Sequence, residues 1–169
     1  MSAVPVQGFP AVVEVQVGQG LPGFTIVGLS DAACRSTRDR VRAAVLCSGL
    51  KWPHHRITVN LAPSRGGTLA SMDLAIAVGV LASDGQIVAD MSGMAFIGEL
   101  GLDGSIRPVP VVLPKASLDG ADEVVVPAAN AGEARALSRG VVRPVESLGE
   151  VVRCLRGEPW GRSAQVVAP

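Results

Sequence analysis

The chain has 169 residues, 48% of them hydrophobic and 18% charged, which is enough apolar material for one compact domain and too little polarity for a disordered chain. Fifteen basic and fifteen acidic residues cancel, so no global field advertises a nucleic acid or a membrane, and any electrostatic site has to be a local patch. Three cysteines without C-x-x-C spacing fit a reduced, cytoplasmic setting, and no apolar run approaches the roughly 20 residues of a membrane helix.

Residues 1–11 read as a flank. Val13, Val15 and Val17 alternate with Glu14 and Gln16, the period of a strand with one buried and one wet face, and this is the expected first strand of the sheet. Gly18 to Gly23 is a turn signal and Phe24 to Leu29 a second strand, so the two read as a hairpin. Ser30 or Asp31 can cap the helix that follows, Asp31 to Ser48, which contains no Pro or Gly and stops at Gly49. Ala33, Thr37, Val41, Ala44 and Val45 give it a small or apolar face. Arg35, Arg38 and Arg42 share another side, and Lys51, His54, His55 and Arg56 follow at its end. Between Asp31 and Arg56 six Lys or Arg stand against two Asp, a cluster that suits DNA phosphates, a neighbouring subunit, or simply a solvated helix face.

Arg56 to Leu61 alternates again and reads as a strand, and Ala62 to Thr68 is a proline- and glycine-rich loop. Asp73 to Ala82 is apolar nearly all round, the mark of a helix buried against the sheet, with Gly85 at or just past its end. Met94 to Leu100 is a strand run that doubles back at Asp103-Gly104 toward Ile106, because both turn residues tolerate positive φ. Pro114 to Leu118 is a short helix candidate, and Val124 to Val126 a buried strand. Asn130 is positioned to cap a helix from Ala131 to Ser138; a strand from Val141 to Val145 and a helix from Ser147 to Leu155 follow. Glu158 to Pro169 shows no periodicity and reads as a tail or linker, which leaves residues 12–157 as the domain.

Five stretches of residues carry a family resemblance. G-E-L-G-L-D-G-S-I-R-P-V-P at Gly98 to Pro110 and V-V-V-P-A-A-N at Val124 to Asn130 resemble the Lon-protease-like domain. G-L-P-G-F-T-I-V-G-L-S-D-A-A at Gly20 to Ala33, R-D-R-V-R-A-A at Arg38 to Ala44 and R-I-T-V-N-L-A-P at Arg56 to Pro63 are similar to the amino-terminal domain of the magnesium-chelatase-like ATPases, the ComM/YifB group. The resemblance covers roughly Val12 to Gly157. It implies an α/β fold, a mixed sheet with helices mainly on one face, similar to Lon proteolytic domains and to the second domain of a small-subunit ribosomal protein. It also implies a non-catalytic accessory domain of a hexameric AAA+ ATPase that supports DNA binding or ring assembly in recombination or transformation. ATP and Mg would then belong to the parent ATPase domain, and the partners would be DNA, that domain and neighbouring subunits, with no membrane. The alternatives are a degenerate Ser-Lys peptidase and a purely structural ring module.

The chemistry inside the chain is sparse. A phosphate loop needs a Gly-Lys pair before Ser or Thr, and the chain has no Gly-Lys pair. Laid over a Lon enzyme, the nucleophile position falls on Met72, one place from Ser71, and the lysine position on Leu113, two places from Lys115; one step along a helix turns a side chain by about 100°, so neither near miss makes a dyad. Neighbours on an extended chain face opposite ways, so His54 and His55 are not expected to share a metal. Asp73, Glu99 and Asp103 read as caps and turn residues.

Overall fold

The computed structural model describes residues 3–8, 11–62, 69–109 and 120–161. Its centre is a seven-stranded sheet of β1 (Val4–Gln7), β2 (Val12–Gly18), β3 (Gly23–Ile26), β4 (Arg56–Ala62), β5 (Met94–Phe96), β8 (Glu123–Pro127) and β9 (Val141–Val145), in the order β3-β4-β2-β1-β5-β8-β9. A separate antiparallel pair joins β6 (Glu99–Leu100) to β7 (Ile106–Arg107). β2 runs antiparallel to both its neighbours, while β3–β4, β1–β5, β5–β8 and β8–β9 are parallel pairs. The α-helices among the described residues are α1 (Asp31–Cys47), α2 (Asp73–Ser83), α3 (Ala131–Leu137) and α4 (Leu148–Leu155).

Alternation in β2 and β4 produces the core directly. Val13, Val15 and Val17 stand in register with Leu61, Val59 and Ile57 and face α1 and α2, whereas Glu14, Gln16, Thr58 and Asn60 occupy the other face. Among the described residues no helix covers that polar face in this half of the sheet. α1, α2 and α4 share the larger apolar cluster with Phe96, Val125 and Val145, and among the described helices only α3 packs on the opposite face, against Ala95, Val124, Val126 and Val142. The mixed α/β fold with helices mainly on one face is therefore as expected.

α2 is buried from Asp73 through Leu81, lying between α1 and the sheet. Gly79 sets its distance from β2: a Cβ there would meet Val15 Cγ2 at 2.5 Å. α1 starts where Ser30 Oγ accepts the Ala33 N–H at 3.2 Å and ends at Gly49, whose φ of +76° only glycine adopts without strain.

Two readings of the sheet are corrected. A strand, β1, precedes the expected first one and sits between β2 and β5; Pro5 is tolerated there because β1 meets β5 only through Gln7 and Ala95, so little ladder is lost to the missing N–H. The hairpin expected between β2 and β3 does not form. β4 inserts between them, pairing with β2 over seven residues and with β3 over four, and α1 becomes the crossover of a βαβ unit. The hairpin at Asp103-Gly104 does form: Gly104 has φ +88°, and Asp103 Oδ1 accepts the Ser105 N–H at 3.0 Å. The helix expected at Pro114 to Leu118 lies outside the described residues. The first part of the expected tail folds back, since Trp160 packs on the core and Arg143 stands 5.7 Å from its ring centroid.

Candidate nucleic-acid groove

The loop before β4 closes one end of the sheet beside the outer side of α1, and an open groove of about 760 Å³ lies between them. Arg38, Asp39 and Arg42 come from α1, Pro22 to Phe24 from the start of β3, and Leu50 to His55 from the loop, with Leu46 and Asp84 completing the lining. Helical spacing puts Arg38 and Arg42 on one side of α1 because the opposite side buries Thr37, Val41, Ala44 and Val45.

Of the basic residues singled out in the sequence, five line this groove: Arg38, Arg42, Lys51, His54 and His55. Arg42, Lys51 and both histidines are exposed, and Arg38 is partly buried. Arg38 is also tied to Asp39, its Nε and Nη2 donating to Oδ1 at 3.0 and 2.9 Å. Arg42 and Lys51 have no ion pair among the described residues. Arg35 is exposed on α1 outside the groove, and Arg56 lies in a second, polar depression with Gln16, Gly18, Gln19 and Thr58 on the open sheet face. The expected patch is thus split in two. His54 and His55 lie in a bend rather than an extended segment, and both line the groove; among the described residues no three His, Cys, Asp or Glu side chains cluster as a metal site.

Sequence reasoning missed three members. Phe24 and Trp52 form the apolar floor, with ring centroids 6.1 Å apart and planes tilted by 36°. Gln86 holds the loop: its Oε1 accepts the Lys51 N–H at 3.0 Å and its Nε2 donates to the Lys51 carbonyl at 2.7 Å, while Arg156 donates twice to the Gln86 carbonyl at 3.1 and 2.9 Å. A side-chain amide that closes two bonds on one residue's backbone fixes that residue as a strand partner would. Nothing local in the sequence links Gln86 to Lys51; the contact spans 35 positions.

The acidic residues behave differently from expectation. Asp73 is no cap: the residue before α2 makes no side-chain capping bond, and the Asp73 carboxylate is fully buried, receiving Arg40 Nε at 2.8 Å, Arg40 Nη2 at 3.1 Å and the Leu100 N–H at 3.1 Å. Burial pushes the Asp73 carboxyl above its usual range, with Arg40 pulling it partly back, and the bond to Asp73 raises Arg40. Glu99 is a strand residue opposite Arg107. Asn130 makes no cap bond; its side chain instead takes the Val109 N–H and donates to the Val109 carbonyl, at 3.0 and 3.1 Å. Ser71 is 0% exposed, and Met72 beside it is buried; Lys115 and Leu113 lie outside the described residues.

The family of subunit ChlI of Mg-chelatase matches residues 13–130, well over half of the chain. The chain belongs to the Mg-chelatase ChlI family. An uncharacterized protein of Mycobacterium tuberculosis is 42% identical over 150 residues, covering 86% of this chain and 30% of the relative. Competence protein ComM of Haemophilus influenzae is 36% identical over 164 residues, 93% of this chain and 32% of ComM, and YifB of Salmonella typhimurium is 35% identical over the same shares. The chain spans about a third of the length of these relatives. The β3 to α1 connection is a strand-to-helix turn of the kind that holds phosphates, yet it has no lysine, carries Asp31 in the first helical turn and already uses Ser30 Oγ on the Ala33 N–H.

Proposed function

We propose that this chain is a non-catalytic accessory domain of a larger ATPase and that its groove engages nucleic-acid phosphates. The carrying observation is the pairing state of the cations: Arg42 and Lys51 line one groove without an acidic partner among the described residues, while Asp39 is occupied by Arg38. Two such cations can each take a phosphate, with affinity independent of base sequence and steeply lowered by salt. The relation to a competence protein favours nucleic acid over other polyanions. A buried Ser71 supports the non-catalytic reading, since a nucleophile must reach its substrate.

The test is anisotropy of a labelled oligonucleotide titrated with the chain at several salt concentrations. Replacing Arg42 and Lys51 together by Ala should weaken binding and reduce the salt slope by about two units, one per lost contact. An unchanged slope refutes the reading. Should the variant bind normally while the full-length protein carrying it fails to assemble into rings, the groove is a subunit interface.

A further inference from the structure

We infer that the groove takes single-stranded rather than duplex nucleic acid, with bases against its aromatic floor; this rests on the proposed function and narrows it. The lining is divided by chemistry. Phe24, Leu46, Leu50 and Trp52 present apolar surface, and Arg42 and Lys51 supply the charge. A duplex exposes phosphates and hides its base faces in the stack, so it would lay a charged backbone over Leu46 and Trp52 and strip water from it without compensation. A single strand matches both chemistries at once, with bases on the rings and phosphates on the cations.

Two further features agree. Asp84 also lines the groove and would repel a duplex backbone running along it, whereas unpaired bases expose N–H donors, the N3–H of thymine among them, that donate to a carboxylate. The floor is also held in place before any ligand arrives, because Gln86 fixes both backbone groups of Lys51 next to Trp52 and Pro53 is buried just beyond. A platform ordered in advance loses little freedom on binding.

The experiment compares a 12-nucleotide deoxythymidine strand with a 12-base-pair duplex, both dye-labelled, in anisotropy titrations against the whole chain and its Trp52→Phe and Trp52→Leu variants. In a Trp160→Phe background Trp52 is the one remaining tryptophan, so its emission reports base contact without altering the groove. The single strand should bind at least tenfold more tightly than the duplex and quench Trp52. Loss of a stacked base at Trp52→Leu should weaken single-strand binding by roughly 5- to 150-fold and leave duplex binding unchanged, with Trp52→Phe in between. Circular dichroism checks that each variant folds, and the Trp52 emission carries the test if Trp52→Leu does not. Equal or tighter duplex binding, or single-strand binding with unchanged Trp52 emission, overturns the inference and leaves the phosphate reading standing. Binding of neither nucleic acid, or preference for an acidic aromatic peptide, removes both.

Discussion

Replacing Arg40 by Met strands the Asp73 carboxylate. That group is 0% exposed and takes two of its three hydrogen bonds from Arg40, itself only 23% exposed, so the variant leaves the Leu100 N–H as its sole described partner. Breaking a buried pair from one side typically costs about 3–5 kcal/mol. The lower end applies because burial already biases this carboxyl toward its neutral form, and the variant can relieve the charge by taking up a proton. About 3 kcal/mol corresponds to roughly 6–12 °C in Tm for a chain of this length. Protonation also fixes the sign with pH. A carboxyl raised above its ordinary value of 3.8 binds protons more tightly folded than unfolded, so its cost is absent at low pH and grows as pH rises through the raised value. Urea unfolding from pH 4 to 8 should therefore show a deficit for Arg40→Met that widens with pH. Adding Asp73→Asn, which keeps an acceptor for Leu100 and removes the charge, should recover at least about 1 kcal/mol at pH 7. A deficit below about 1 kcal/mol, or one independent of pH, would refute the reasoning.

Gly79→Ala should destabilise the fold by about 1–3 kcal/mol in urea unfolding, although alanine favours a helix over glycine by about 1 kcal/mol, because its Cβ meets Val15 Cγ2 at 2.5 Å. Asp103 is held below its ordinary 3.8 by bonds from the Ser105 hydroxyl and N–H, so its contribution is present above that pH and lost below it; Asp103→Ala should flatten the acid limb of the stability profile. Calorimetric titration of the chain with Mg-ATP should show no saturable site, since no Gly-Lys phosphate loop exists in it; a micromolar site would contradict this.

Local patterns were legible where one physical term dominates. Val13, Val15 and Val17 announce a half-buried strand, and the all-apolar run after Asp73 announces a helix buried on every side. Topology was less so, because pairing is decided by which strands bury each other: β4 has apolar alternation matched to β2 over seven residues, and that outweighs the nearness of β3 in the chain. Polar roles were hardest. Asp73 looks like a cap at its position, but the guanidinium that claims it lies 33 residues away, and the groove joins Phe24, Arg42 and Trp52 from separate elements, with Gln86 fixing the loop behind it. No spacing rule connects such residues before the chain is folded.

The central claim is that ligand enters this groove, and amide chemical-shift mapping tests it most directly. A 15N-labelled chain titrated with the 12-nucleotide strand should show shifts concentrated at Gly23 and Phe24, Arg38 to Arg42 and Leu50 to His55, together with the Trp52 indole. Shifts confined to Gln16, Thr58 and Asn60 on the open sheet face, or no shifts at saturating strand, would contradict it.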